Sequence, residues 1–266
     1  DPLVTQAHGA KDAKALGRTL QRGMLLGLLL IPVLTLSWQL GGPALVALGQ
    51  DPGLSSVAET YIQAQLFSLP ALLGFLVLRQ YLQGRGFVRP ALWTVLIANL
   101  FNVVFNELFI FGGLGIPALG VEGAGYATGA SRWLMLLLLI GFMMRGRYLA
   151  AGWVPWSRRS FSLRAMATLL SLGLPVMIHF GVEVWTFQAA TLMAGRIGEI
   201  ELAAHIVVLK IISFTFMFAW GISGAATTRV GNLLGEGDVP RARKAARAAI
   251  ALGALVMAAA GITILV

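Results

Sequence analysis

Seven stretches of this chain, at about residues 23–48, 57–82, 90–112, 122–144, 166–195, 201–228 and 240–266, stay apolar for roughly 20 residues or more. No other feature constrains the fold as tightly, because a backbone surrounded by lipid must satisfy its own hydrogen bonds. The runs are rich in Leu and Ala and lack the period-two alternation of barrel strands, so each predicts a spanning helix. Composition agrees: 58% of the 266 residues are hydrophobic and 12% are charged, where soluble domains hold about 45–50% and about 25%. The expected fold is an all-α polytopic membrane protein. Cysteine is absent, which removes disulfides and thiolate metal or redox sites. The chain opens on DPLVTQAHGAKDAK, without an initiator Met or a basic n-region, and closes on ALVMAAAGITILV in mid-span. It reads as a fragment of a longer protein, with residues 1–8 as the tail of an earlier span.

A net charge of +9 would suit nucleic acid, but the basic residues stand in short clusters between apolar spans. Lys11, Lys14, Arg18 and Arg22 form one cluster, and Arg79, Arg85 and Arg89 a second. Arg145, Arg147, Arg158, Arg159 and Arg164 form a third, and Arg241, Arg243, Lys244 and Arg247 a fourth. The connections between them are nearly bare: 39–59 and 107–122 hold acids and no bases, and 195–201 sets Arg196 against Glu199 and Glu201. This alternation assigns the basic connections to the cytoplasm. It excludes nucleic acid as a partner and makes the lipid bilayer the surroundings.

Pro32, Pro70 and Pro175 lie inside spans, and each removes a backbone donor and predicts a kink. The stretch RGRYLAAGWVPWSRRSFSLR, residues 145–164, is the longest polar connection and reads as a linker anchored at the interface by Trp153 and Trp156. An internal repeat also divides the chain. Displacing the sequence by 226 positions pairs Gly9 with Gly235, Asp12 with Asp238, Arg18 with Lys244, Gly27 with Gly253 and Leu29 with Leu255. Asp12 and Asp238 are placed to cap the helix that follows, and Pro240 suits a first turn. Copies in the same orientation imply a parallel repeat about 226 residues long, an arrangement found in transporters built as two parallel halves.

The motifs then carry a resemblance. FMFAWGISGAATTRVGNLLGEGD at 216–238, LAAH at 202–205, LRQYLQGRGFVRPAL at 78–92 and NLFNVVFNELFIFGGLGIPALGVEGAGYATG at 99–129 resemble the multidrug and toxin extrusion (MATE) family, in its NorM-like branch. The resemblance runs from the end of that family's helix 2 to part of helix 9. It implies two pseudo-symmetric six-helix lobes of the MATE/MOP type, incomplete here. Residues 1–144 would belong to the N-terminal lobe, 145–165 to the cytoplasmic inter-lobe loop and 166–266 to the start of the C-terminal lobe. It also implies a secondary active exporter, a monomer in the bacterial inner (plasma) membrane. Such a protein antiports amphiphilic or cationic drugs against sodium ions or protons by alternating access, with no cofactor beyond the coupling ion. The alternative from the same superfamily is a flippase for lipids or lipid-linked oligosaccharides, which would need a cationic cavity, whereas most Arg residues here lie at the cytoplasmic ends. An intramembrane enzyme is not expected, since the chain lacks HExxH, paired catalytic Asp residues and a Ser/His pair in membrane register.

Glu183, in IHFGVEVWTFQ, is the main candidate for ion coupling. It lies about a dozen residues, or roughly 18 Å, from the outer end of its span, and a charge at that depth faces a cavity or a partner. A carboxyl group that passes between neutral and ionised forms can couple proton or cation binding to a change of shape. The resemblance points the same way, because the family's helix 7 carries a functional Glu in this branch. His179 stands one turn earlier on the same face and can share a proton with it. Lys210, about ten residues into the next span, is expected near the same depth, either paired with Glu183 or snorkelling outward. In the other half, Asn102 and Asn106 are spaced i, i+4, and Thr128 begins the next helix. Their oxygens suit a hard cation such as sodium, or interhelical hydrogen bonding. Related archaeal proteins carry Asp where Asn106 stands. Trp185, Phe187 and Phe214 are candidates for lining a drug cavity, where aromatic faces attract organic cations. GEGD, at 235–238, lacks the Lys-Ser/Thr of a phosphate loop.

Overall fold

At the first turn of the chain, helix α1 (Pro2–Gly9) stops and α2 (Ala13–Gln39) begins. The Asp12 N–H donates to the Ala7 carbonyl and the Lys11 N–H to the His8 carbonyl, each at 3.0 Å. This is the pattern of a helix closed by a left-handed residue, and Lys11 takes that role at φ 55°. Asp12 Oδ1 then accepts from the N–H groups of Lys14 at 3.0 Å and Ala15 at 2.9 Å, which caps α2. The same turn recurs 226 residues later. There α9 (Glu199–Gly235) ends and α10 (Val239–Leu265) begins. Asp238 N–H donates to Leu233 at 2.9 Å, Gly237 N–H to Leu234 at 3.1 Å, and Gly237 has φ 82°. Asp238 Oδ1 accepts from Arg241 N–H at 3.0 Å. The repeat read from Gly9/Gly235 and Asp12/Asp238 is thus a repeat of geometry, short of one bond: Pro240 stands where Lys14 donates and has no N–H.

The computed structural model describes residues 2–47, 49, 52–113, 115–146, 148–149 and 152–265. Arg147 of the third basic cluster lies outside them. Between the two copies of the turn run α3 (Gly41–Ala47), α4 (Pro52–Gln65), α5 (Leu69–Gly84), α6 (Arg89–Phe111), α7 (Gly120–Arg145) and α8 (Leu163–Ile197). Among the described residues every element is helical apart from one isolated bridge, Gly113 with Ile116. Seven helical segments are long and apolar enough to cross a membrane: Ala13–Ala47, Ser55–Gly84, Arg89–Phe111, Gly120–Arg145, Leu163–Ile197, Glu199–Gly235 and Val239–Thr263. The protein is a multi-pass membrane protein with all-α architecture.

The three intra-span prolines act differently. Helices α2 and α8 run on through Pro32 and Pro175. At Pro70 the span breaks. Proline has no N–H to offer the Leu66 carbonyl. The Leu69 N–H takes that carbonyl instead, and Leu66–Ser68 winds as a 3-10 turn between α4 and α5.

The chain forms two compact units, Leu3–Trp156 and Ser157–Val266. In the first, Val4, Leu16, Leu20, Phe75, Leu78, Tyr81, Leu82, Leu139 and Met143 build a buried core toward the basic ends of the helices. Tyr148 and Val154 of the polar connection are packed into this unit. Gln21 Nε2 donates to the Val154 carbonyl at 2.6 Å, and Arg85, itself buried, donates to the Tyr148 carbonyl and to the Tyr81 hydroxyl. Gly17 lies so close to this segment that a Cβ there would sit 2.3 Å from the Gly152 carbonyl oxygen. Trp153 and Trp156 stay exposed. The second unit holds α8, α9 and α10 and buries few side chains, among them Met166, Leu233 and Ala242. Apolar side chains that face lipid need no buried core.

Candidate coupling and binding sites

In the second unit, α8 and α9 meet at the tight Ile197–Gly198–Glu199 turn and return antiparallel. Two side-chain contacts set their register. Thr191 Oγ1 lies 3.2 Å from His205 Nε2. The Thr191 hydroxyl already donates to the Phe187 carbonyl at 2.9 Å, so the His205 Nε2–H is the donor to it. Further along, the rings of Phe180 and Trp220 are 4.9 Å apart.

Glu183 lies on α8 between these contacts, half-buried, fourteen residues before Ile197. That is about 21 Å along the helix. The register puts it level with residues 214–217. Lys210 falls level with residues 186–189, about 5–9 Å nearer the Gly198 turn, and its side chain is exposed. The expected common depth is therefore not observed. Both helices extend to Gly198, so equal counts from the apolar boundaries are not equal distances from the turn. Arg241 pairs with Asp238 at 3.5 Å, whereas Glu183 and Lys210 do not form such a pair. His179, a turn from Glu183, is exposed and stacks edge-on against Phe180 at 5.7 Å.

Trp185, Phe187 and Phe214 are 76%, 45% and 65% exposed. Phe214 packs edge-to-face on Phe218 at 5.5 Å. A groove of about 430 Å³ does open in this unit, between α9 and α10, lined by Ile222, Ser223, Thr227, Val230, Ala249 and Ile250. None of the three aromatic candidates is on its lining.

In the first unit, Asn106 Nδ2 donates to Asn102 Oδ1 at 3.0 Å, as the i, i+4 spacing allows. Asn102 Nδ2 donates across to α7, to Ser131 Oγ at 3.0 Å and to the Ala127 carbonyl at 3.4 Å. Thr128 is next to this network without joining it, because its hydroxyl donates to the Ala124 carbonyl at 2.9 Å. Ser131 holds the bridging place that the sequence had suggested for Thr128. The signal was available: Ala127 and Ser131 are one turn apart on α7, as Asn102 and Asn106 are on α6.

The structure also brings forward a residue that the span 122–144 concealed. Arg132 stands midway along α7, twelve residues from Gly120 and thirteen from Arg145. It reaches the Pro70 break, where Nη1 donates to Ser68 Oγ at 3.0 Å, and its guanidinium lies 5.8 Å from the Trp38 ring centre. Its neighbour Trp133 donates from Nε1 to the Phe67 carbonyl at 3.3 Å. One basic residue at the centre of an apolar run was the sign to look for.

Comparison with known proteins follows the same outline. The MatE family model matches residues 1–108 and 175–266. A Danio rerio protein, multidrug and toxin extrusion protein 1, is 33% identical over 260 residues, covering 96% of this chain and 42% of the relative. Multidrug resistance protein NorM of Vibrio vulnificus is 32% identical over 257 residues, covering 95% of this chain and 55% of the relative. The crystal structure of the eukaryotic MATE transporter AtDTX14 superposes with a TM-score of 0.82 at 24% identity, over 99% of this chain and 57% of that one. The chain spans about half the length of the curated relatives it matches.

Proposed function

This chain belongs to the MatE family, and from that premise we propose that it forms part of a secondary active multidrug exporter. The protein containing it exchanges amphiphilic or cationic compounds for sodium ions or protons by alternating access. It works as a monomer in the bacterial plasma membrane, and it transports rather than catalyses. Residues 1–144 and 166–266 contribute to two lobes joined by the connection at 145–165.

The observation that carries this reading is Glu183: a half-buried carboxyl group about 21 Å along a spanning helix, with no ion pair among the described residues. An ionised carboxylate at that depth is costly unless it binds a proton or cation. That requirement is what couples the ion to the conformation. His179 lies within a helical turn and can exchange the proton. Lys210, nearer the turn, adds a positive potential without neutralising the acid. Asn102, Asn106, Thr128 and Ser131 supply neutral oxygens only, so any cation they hold lacks a formal counter-charge there. Trp185, Phe187 and Phe214 offer aromatic faces to an organic cation.

Everted vesicles containing the full-length protein test the reading. Wild type should move a fluorescent organic cation when driven by a sodium gradient or a pH gradient, and applying each alone identifies the ion. Glu183→Gln should abolish transport at unchanged expression. Export by the variant at the wild-type rate would sink the coupling role.

A further inference from the structure

We propose that Arg132, with Ser68 and Trp38, forms an anion-recognition site inside the first unit that binds the carboxylate of an amphiphilic substrate. The proposal rests on the exporter reading and adds a substrate chemistry that Glu183 alone does not suggest.

The break at Pro70 creates the site. It ends α4 and starts α5 part-way through a single span, Ser55–Gly84. Carbonyl groups freed at such a break would make it negative, but here each has a donor. Gln65 O accepts from Ser68 Oγ at 2.7 Å, Leu66 O from the Leu69 N–H, and Phe67 O from Trp133 Nε1. What remains is the start of α5, the positive end of its dipole, with Ser68 as its N-cap residue. Arg132 adds a full positive charge at the same point.

That charge is under-used. A guanidinium carries five N–H donors, and the bond to Ser68 Oγ occupies one. Ser68 donates its own proton to Gln65, so it can only accept there. No carboxylate among the described residues lies within 4.0 Å of Arg132. Trp38, from α2, covers one side of the guanidinium at 5.8 Å, which leaves the remaining donors for a planar acceptor. Bidentate pairing with a carboxylate is the geometry that the arginine fork favours. A half-helix N-terminus at mid-membrane depth is also where transporters of other folds meet anionic groups of their substrates.

The test uses the full-length protein and two dyes, a rhodamine with a free carboxylate and its methyl ester, which differ only in the group recognised. Wild type should export the free acid with the lower KM. An equal or higher KM for the acid would overturn the proposal. Arg132→Gln should raise the KM of the acid about tenfold or more, the scale of a lost charge-assisted bond pair, while leaving the ester unchanged. Arg132→Lys, which keeps charge but loses the fork, should fall between. Equal loss for both dyes in a folded Arg132→Gln protein would make Arg132 a brace for the Pro70 break and nothing more. If wild type moves neither dye, the exporter reading fails. Fluorescence polarisation with detergent-purified protein then still reads the site, and equal binding of acid and ester there would overturn it. Should Arg132→Gln not fold, the wild-type comparison and the Lys variant decide. Displacement of the acid by phosphatidylglycerol, but not by a neutral lipid, would give the site to a lipid headgroup and overturn the substrate assignment.

Discussion

Lys11 and Gly237 occupy the same position in the repeated turn, but one is strained and the other is not. A lysine at φ 55° bears a steric cost that glycine escapes, of about 1 kcal/mol. Lys11→Gly should therefore raise the stability of the detergent-purified protein by up to about 1 kcal/mol, seen as a higher midpoint in a thermal melt. Gly237→Lys should lower it by a similar amount. Asp12 accepts from two N–H groups, and Asp238 from one beside its ion pair with Arg241; Asp12→Ala and Asp238→Ala should each cost about 1 kcal/mol. An unchanged melting midpoint in either variant would count against its cap. These turns were legible in the sequence because a Gly, an Asp and a Pro act on their own backbone. Arg132 was not legible, because its partners Ser68 and Trp38 come from two other elements.

Helix pairs are decided by contacts that composition does not reveal. The polar connection reads as a linker by its Arg, Ser and Pro content, yet Tyr148 and Val154 are fastened by Arg85 and Gln21. Gly17 is the tightest point of that fastening. Gly17→Val should force the segment off α2. Limited trypsin digestion of inside-out vesicles should then cut earlier at Arg145, Arg158 and Arg159, which are exposed on either side of the segment. An unchanged digestion pattern would count against the docking. The α8–α9 hairpin teaches the same lesson for Glu183 and Lys210. Counting residues from apolar boundaries placed them at one depth, whereas Thr191–His205 and Phe180–Trp220 set the register and separate them. With no native cysteine, a Thr191→Cys/His205→Cys double variant should cross-link readily, and Glu183→Cys/Lys210→Cys should not.

Across the whole molecule, the alternation of basic and acidic connections orients seven spans with one rule. A single cysteine at Ser157, exposed among the third basic cluster, should react with a membrane-impermeant maleimide in inside-out vesicles and not in intact cells. One at Ala118, between α6 and α7, should do the opposite. Labelling of both from one side would refute the topology. The sequence by itself determined the class, the number of spans among the described residues, the repeated turn and the family, because each depends on local chemistry or on transfer into lipid. Only the tertiary structure decided which polar groups meet. It joined Asn102 to Ser131 rather than Thr128, set Lys210 apart from Glu183, and brought Arg132 to the Pro70 break. Apolar spans pack in lipid through small steric differences, and their register and rotation, which fix every polar contact, leave no periodic mark in the sequence.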